Sequence, residues 1–457
     1  MVYAFCRKGK NMSDKFAHII QEISKAKTTC YYGRVTAVQG LFVEVSGICA
    51  AIRIGDHCDI LTSSGRKISC EVVSFKGDKL ILMPYGSLEG IANGNRVEVE
   101  DAEPVIYPHP SWLGRVINAF GEPMDNKGSL LKGDKPYLIK TSPPPAHSRN
   151  RLGSKVDLGV RSVNTFTSIC KGQRMGIFAG SGIGKSTLMS MMARNTDSDI
   201  AVIGLVGERG KEAREFIEDV LGEEGLAKSV MVLSTSDESP LMRRQAAYVT
   251  MAVSEYFRDM NKEVLCMMDS ITRFAMAQRE ISLSIGEPPA SKGYTPSVFA
   301  ELPRLLERAG PGLPGQGNIT GLFTVLVDGD DHNEPISDAV RAILDGHIVL
   351  DRSIAERNRY PAVNILRSVS RAMPDCNTDE ENALVYKARK YISSYEDMAE
   401  LIRLGAYKKG SNREVDEAMF YYPMIDDFLM QQKNEKTSLA ECYTLLQQIL
   451  NTPYTEK

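Results

Sequence analysis

The chain has 457 residues, enough for about three domains, and its 43% apolar and 25% charged residues are typical of globular proteins. A formal net charge of −3 argues against a surface built mainly for nucleic acid. No apolar run approaches the ~20 residues of a membrane-spanning helix. Because Lys8, Lys10 and Asp14 interrupt the beginning of the chain, we expect no secretory signal. Nine cysteines without a Cys-x-x-Cys pair favour reduced thiols in the cytosol and argue against structural zinc.

Residues 1–29 are predicted to form an amphipathic helical segment, since Phe16, Ile19 and Ile23 recur at helical spacing among polar residues. Such a stripe can dock on its own protein, on a partner or on a membrane surface. All three interpretations stay open from the pattern.

Residues 30–102 consist of short β-rich runs separated by glycine and aspartate turns, a texture that predicts a small β-barrel. Aromatic residues in this segment are interspersed with many acidic ones. A structural barrel is therefore favoured over one that binds nucleic acid.

Residues 103–375 are predicted to form an α/β core, because apolar strand-like runs alternate with helical stretches from about residue 158 to residue 373. The proline-rich run 143–145 lies in the segment that connects the barrel to these runs. After Pro374 the sequence becomes helical and charged, which predicts a C-terminal helical domain over residues 376–457.

A glycine-rich loop predicts a nucleotide site in the core. It follows an apolar strand-like run and precedes a helix-like one, and it comprises Ala179, Gly180, Ser181, Gly182, Ile183, Gly184, Lys185, Ser186 and Thr187. Backbone N–H groups of such a loop and the N-terminus of the following helix bind phosphates. Lys185 is expected to reach the β- and γ-phosphates of ATP, and the Ser186 hydroxyl to ligate Mg²⁺. The strict motif has glycine where this chain has Ala179, and alanine fits if its φ is negative.

Polar residues follow three other predicted strands. Asp269 closes an uninterrupted apolar run, and Glu208 and Arg209 close another; the third run ends in aspartates at 328, 330 and 331. Ligands of open parallel sheets lie beyond the carboxyl ends of the strands. We therefore expect Asp269 to act on the magnesium ion with Ser186, Glu208 to polarise the attacking water, and Arg209 to balance charge on the transferred phosphoryl group.

Several motifs resemble those of the catalytic subunits of rotary ATPases. Residues 207–212 resemble the Gly-Glu-Arg-x-Lys-Glu segment of those subunits, and residues 368–371 resemble their Ser-x-Ser-Arg segment. Residues 296–310 and 345–350 match as well, and the likeness runs from about residue 32 to residue 419. It implies a RecA-like P-loop core with a parallel sheet, behind a β-barrel and before a C-terminal helical domain.

Within that superfamily the chain is most similar to the export ATPases of type III secretion, specifically their flagellar branch. The distinguishing stretches are 178–182, 268–280 and 286–290, and alanine at position 179 is expected in that branch. The resemblance implies that Glu208 is the catalytic carboxylate, since non-catalytic subunits carry Gln there. It also implies that Tyr360 packs on adenine and that Arg371 enters the site of the neighbouring subunit in a homohexameric ring.

The resemblance further implies hydrolysis of ATP to ADP and phosphate, with Mg²⁺, to energise flagellar protein export. Implied partners are regulatory and stalk subunits, export substrates and their chaperones, without nucleic acid. The chain would lie in the cytoplasm, peripherally at the inner face of the cytoplasmic membrane. Alternatives are an injectisome export ATPase, a rotary ATP synthase catalytic subunit, an RNA translocase with a related core, and a nucleotide-gated assembly scaffold.

Overall fold

A computed structural model of the protein describes residues 31–100, 104–327, 329, 331 and 334–454. The predicted amphipathic segment 1–29 lies outside these residues. The chain divides into two compact units, Met1–Ala102 and Glu103–Lys457. None of the described helices is both long enough and apolar enough to cross a lipid bilayer.

The first unit contains a closed six-stranded barrel in the strand order β1-β2-β5-β4-β3-β6. Antiparallel pairing and alternating inward-facing residues such as Val43, Val45 and Leu82 give it a dry centre, which confirms the predicted small barrel. Its strands are β1 (Tyr32–Gln39), β2 (Phe42–Ser46), β3 (His57–Leu61), β4 (Lys67–Lys76), β5 (Lys79–Pro84) and β6 (Arg96–Glu100).

The second unit is built on a largely parallel sheet in the order β17-β16-β10-β15-β13-β11-β12-β8. Only the pairs β16–β17 and β14–β15 are antiparallel among the described strands of this sheet, and β7 and β9 form a separate two-stranded ribbon. The strands of this unit are β7 (Val105–Ile106), β8 (Arg115–Ile117), β9 (Tyr137–Leu138), β10 (Arg174–Ala179), β11 (Ile200–Glu208), β12 (Ser229–Thr235), β13 (Val264–Asp269), β14 (Gly310–Pro311), β15 (Asn318–Leu326), β16 (Gly346–Leu350) and β17 (Val363–Ser370).

Helices cover both faces of this sheet, so that central strands such as β13 are buried throughout, as their continuous apolar sequence requires. This arrangement confirms the predicted α/β class. The helices are α1 (Arg161–Phe166), α2 (Lys185–Asn195), α3 (Gly210–Glu215), α4 (Gly222–Ala227), α5 (Pro240–Asp259), α6 (Ile271–Ser284), α7 (Pro296–Leu306), α8 (Pro335–Ile343), α9 (Arg352–Ala355), α10 (Asp379–Arg403), α11 (Arg413–Leu429) and α12 (Leu439–Leu450), with a π-helical turn (Phe216–Leu221) between α3 and α4.

The last three helices form the predicted C-terminal helical part. Capping boxes start two of them, with Thr378 and Glu381 at α10 and Ser438 and Glu441 at α12. The three helices pack on one another and on α1, and their apolar residues continue the core beneath the sheet. The predicted domain boundary between residues 375 and 376 stays a prediction.

A buried ion pair connects α5 to Arg308, which follows α7, and the same arginine also contacts Ile139. Arg308 is 1% exposed and donates to both carboxylate oxygens of Glu255 on α5, at 2.9 and 2.7 Å. Its remaining terminal nitrogen, Nη1, donates to the carbonyl oxygen of Ile139 at 2.7 Å. Removing one of these partners would leave the buried charge uncompensated and would lower the free energy of unfolding.

We expect Glu255→Ala to lower the free energy of unfolding by about 3–5 kcal/mol, because it leaves the buried guanidinium of Arg308 unpaired. Arg413→Ala removes an exposed pair with Glu417 and should change it by less than about 0.5 kcal/mol. Denaturant unfolding followed by circular dichroism measures both. Equal effects of the two variants would contradict a special role for the buried pair.

Candidate functional site

The phosphate loop connects β10 to α2 and has the backbone that its glycines predict. Ala179 is the last residue of β10 and has no positive φ, whereas Gly182 and Gly184 take φ of 77° and 90°. Left-handed backbone at these two glycines turns the chain sharply into α2, which begins at Lys185. The N–H groups of the loop and of the first helical turn therefore surround a space suited to an anion.

Parallel pairing brings two carboxylates to this loop. Asp269 ends β13 and Glu208 ends β11, next to each other in the sheet. The Lys185 Nζ atom lies 2.5 Å from Asp269 Oδ1 and 3.7 Å from Glu208 Oε1. Thr324 on β15 donates its hydroxyl to the same Asp269 oxygen at 2.7 Å. Three residues predicted separately from the sequence thus form one cluster.

Glu208 has an unusual electrostatic environment. Burial raises the pKa of this carboxyl to about 7, with a further increase from the Asp269 carboxylate and an opposing effect from Lys185. The Glu208 Oε1 atom is buried and has no hydrogen-bond partner among the described residues. An acceptor left without a donor in such a place is suited to a water molecule or ligand that brings one.

The cluster opens into a cavity of about 470 Å³ that the phosphate loop lines on one side. Ser186, Thr187 and Arg209 contribute side chains to its wall. The Arg209 guanidinium is exposed and lies 3.8 Å from Glu212. Because exposed ion pairs are weak, Arg209 can exchange this contact for one with a phosphoryl group.

Magnesium fits this donor set as a partner of the nucleotide. In the described parts of the chain no three His, Cys, Asp or Glu side chains form a cluster that would hold a metal by themselves. Mg²⁺ commonly combines one or two protein oxygens with phosphate oxygens and waters. The Ser186 hydroxyl on the cavity wall and the carboxylate of Asp269 behind it offer such oxygens.

A second cavity, of about 310 Å³, adjoins the first, since Gly184 and Thr187 line both. Tyr360 forms part of its wall and is 41% exposed. Residues 430–433, which follow α11, also line it. An aromatic face beside the start of α2 is where the base of a nucleotide would lie if its phosphates occupied the loop.

The structure places Arg371 far from the phosphate loop of its own chain. The Arg371 N–H donates to the Asp345 carbonyl oxygen, and the Asp345 N–H donates to the carbonyl oxygen of Arg174, the first residue of β10. The phosphate loop follows the last residue of β10, about 16 Å further along at 3.3 Å per residue. Arg371 is exposed at the opposite end of the sheet and does not join the cluster.

Two residues of the site were not singled out from the sequence. Arg273, in the first turn of α6, lines the phosphate cavity and packs on Gly207, and its charge lowers the pKa of Glu208. Thr324 holds Asp269 from the neighbouring strand. The position of Arg273, four residues after the strand-ending Asp269, was the available signal. Nothing in the sequence near Thr324 marks it.

Of the three aspartates predicted to follow β15, the structure describes Asp331 alone. Asp331 forms an exposed ion pair with Lys292 at 2.9 Å and is not part of the cavity wall. Positions 328 and 330 lie outside the described residues.

Three family models match the chain. Residues 35–99 match the β-barrel domain of the ATP synthase alpha/beta family, and residues 159–370 match the nucleotide-binding domain of that family. Residues 377–448 match the T3SS EscN ATPase C-terminal domain.

Individual proteins agree with the family models. A flagellum-specific ATP synthase of Caulobacter vibrioides is 54% identical, over 95% of this chain and 99% of the relative. One of Bacillus subtilis is 51% identical, over 91% and 94%. The solved structure of the assembled ATPase EscN from the type III secretion system of enteropathogenic E. coli has a TM-score of 0.87 and 37% identity, covering 92% of this chain and all of that one.

These relatives span nearly the whole chain, including the barrel, the phosphate loop and the C-terminal helices. The chain therefore belongs to the ATP synthase alpha/beta family and, within it, to the flagellum-specific ATP synthases, which are ATPases.

Proposed function

We propose that this protein hydrolyses ATP to ADP and phosphate, as a homohexamer, to energise protein export by a flagellar type III secretion apparatus. The observation that carries the proposal is the buried Glu208 carboxyl beside Lys185 and the phosphate loop. A site that only bound nucleotide would need the loop and the lysine. Hydrolysis needs in addition a base, and the buried Glu208 carboxyl, whose Oε1 atom has no hydrogen-bond partner among the described residues, can serve as one.

The reaction follows from what each group offers. Loop N–H groups and Lys185 bind the β- and γ-phosphates, and Lys185 exchanges its contact with Asp269 for phosphate oxygens. Glu208 accepts a hydrogen bond from water and aligns it on the γ-phosphorus. The water oxygen bonds to the γ-phosphorus while the bond from that phosphorus to the bridging oxygen breaks, Glu208 takes up the proton that the water loses, and ADP and phosphate leave. Magnesium, held by Ser186 with Asp269 nearby, would neutralise charge on the phosphate oxygens.

Arginines complete the charge balance. Arg209 lies at the cavity of its own chain. Arg371 is too far from that cavity to act there, so we assign it to the site of a neighbouring copy. Each copy would then contribute its phosphate loop to one interface and Arg371 to the next. Repeating that head-to-tail contact closes a ring if the rotation between copies is a simple fraction of a turn.

The solved EscN structures support this assembly. One shows the assembled ATPase EscN, and another shows EscN in complex with its central stalk EscO, with a TM-score of 0.84 to this chain. We infer a homo-oligomer with a stalk partner for this protein, acting in the cytoplasm with export substrates, chaperones and a regulatory subunit. Contact of residues 1–29 with the inner membrane face is part of the same proposal. The flagellar rather than the injectisome branch is favoured by the flagellum-specific relatives.

Glu208→Gln should lower the ATPase rate by at least about a hundredfold and leave the dissociation constant for ATP within a few-fold, because the amide retains the shape of the side chain but cannot act as a base. Glu215→Gln alters an exposed glutamate of α3 and should leave the rate unchanged. Steady-state phosphate release and equilibrium nucleotide binding measure the two quantities. Flagellar assembly by cells that carry only Glu208→Gln would instead favour a nucleotide-gated scaffold.

The raised pKa of Glu208 predicts a pH-dependent gain of stability in the same variant. An unfolded chain ionises this carboxyl near its ordinary value of 4.5, whereas the folded protein does so at about 7. Folding stability is therefore lost as pH rises from 4.5 through 7, by about 3 kcal/mol at most. Gln carries no such penalty. The thermal midpoint of nucleotide-free Glu208→Gln should exceed that of wild type by several degrees at pH 8, with the difference shrinking towards pH 5.

Differential scanning fluorimetry across this pH range provides the measurement. Glu215→Gln, which replaces an exposed acid of α3, is the control, and its difference from wild type should not grow between pH 5 and pH 8. A difference between Glu208→Gln and wild type that stays constant from pH 5 to pH 8 would contradict the assigned ionisation.

The assignment of Arg371 to a neighbouring copy predicts complementation. Arg371→Ala and Lys185→Ala should each be nearly inactive alone, since an arginine finger contributes on the order of 10³-fold. An equimolar mixture should regain about a quarter of the sites, because some interfaces then pair an intact phosphate loop with an intact Arg371. Arg367→Ala, an exposed arginine on β17, is the control and should retain activity. No gain on mixing would contradict a shared site.

A further inference from the structure

Tyr360, the aromatic wall of the second cavity, is held by the C-terminal part of the chain. The N–H of Gln431 donates to the Tyr360 carbonyl oxygen at 2.8 Å. The residue before it, Arg359, forms an ion pair from Nε to Asp426 Oδ1 of α11 at 3.0 Å. The segment that carries the ring is therefore held by one side-chain contact with α11 and by one backbone hydrogen bond with the residues that follow α11.

These two contacts differ in what they connect. The Gln431 side chain accepts from Arg161 N–H at 2.9 Å and donates to the Gly159 carbonyl oxygen at 2.8 Å, so it is anchored to the start of the core. Asp426 belongs to the body of α11. The Arg359–Asp426 pair is therefore a direct contact between the body of α11 and the segment that carries Tyr360, and a displacement of α11 reaches that segment through it.

Arg359 is the buried member of the pair, whereas the Asp426 side chain is 33% exposed. Arg359 is 7% exposed, and its Nη2 donates to the Val363 carbonyl oxygen at 3.1 Å. Its Nη1 is buried and finds no hydrogen-bond partner among the described residues. Burial lowers the pKa of Arg359 and raises that of Asp426, so each group depends on the other for its charge. Loss of Asp426 would leave a guanidinium buried and largely uncompensated.

The groups that act on the phosphates do not share this support. Lys185 begins α2, Glu208 and Asp269 end β11 and β13, and the three side chains contact one another. A change at Arg359 or Asp426 can therefore move the base-binding wall and leave the phosphate end in place. That separation predicts an effect on nucleotide affinity without an equal effect on turnover.

We infer that the Arg359–Asp426 ion pair is a positioning pair that makes nucleotide affinity depend on the placement of α11. The inference rests on the proposed function and on the further assignment of the second cavity, beside Tyr360, to the base of ATP. Because linkage is reciprocal, bound nucleotide also biases the position of α11. A ligand that shifts α11 would then weaken nucleotide binding, and a nucleotide would resist that shift.

Asp426→Ala should raise the KM for ATP and the dissociation constant of a fluorescent ADP analogue by about tenfold, with kcat within about twofold, since one displaced wall of a base pocket is worth roughly that factor. Asp427→Ala is the matched control: it removes the same side chain at the next, exposed position of α11. It should change neither constant. Equal effects of both variants, or a fall in kcat without a rise in KM, would overturn the inference.

Two further variants separate positioning from folding and from the proposed function. Arg359→Met/Asp426→Leu fills the site with apolar groups and should restore the thermal midpoint of the full-length protein but not the affinity. Wild-type affinity in that double variant would overturn the positioning role. Tyr360→Ala should raise the same dissociation constant. If it does not, the base-site assignment fails; if it does while Asp426→Ala has no effect, only the ion-pair inference fails.

Discussion

Parallel pairing of β10, β15, β13 and β11 is the constraint on which the rest of the site depends. In such a sheet all the carboxyl ends face one edge, so whatever follows each strand meets at that edge. The Lys185 ammonium can therefore lie against Asp269 and near Glu208 although the three are far apart in the sequence. A different register would separate the charges and leave two buried carboxylates without a cation.

The same crowding sets the electrostatics of the site. Two carboxylates compete for one ammonium, and Lys185 lies closer to Asp269, which also accepts from Thr324. Glu208 receives the smaller share, and burial together with the Asp269 carboxylate raises its pKa to about 7. A nucleotide with its metal brings both negative and positive charge into this balance. The Glu208 Oε1 atom, which has no hydrogen-bond partner among the described residues, is placed to accept from a group that enters the cavity.

How much was predictable depends on whether a contact is local. The loop at residues 179–187 and the strand-ending Asp269 and Glu208 follow from runs of adjacent residues, and the parallel sheet brings them together by a general rule. The role of Thr324 could not be predicted, because nothing in the neighbouring sequence distinguishes a functional threonine inside an apolar strand. The Arg359–Asp426 pair could not be predicted for a different reason: 67 positions separate its members, and only the packing of α11 on the segment that carries Tyr360 brings them into contact. Tyr360 itself was predicted from family resemblance, since its residue type alone is ordinary in a core.

The distance between Arg371 and its own phosphate loop has a consequence for the cell. If Arg371 acts in the site of a neighbouring copy, as we propose, a single chain cannot bring it to its own phosphate loop by bending, because a sheet packed between helices is stiff. Newly synthesised copies would accordingly hold ATP without consuming it. Hydrolysis would begin only where copies assemble next to one another. The place of assembly, rather than the concentration of ATP, would then determine where ATP is hydrolysed.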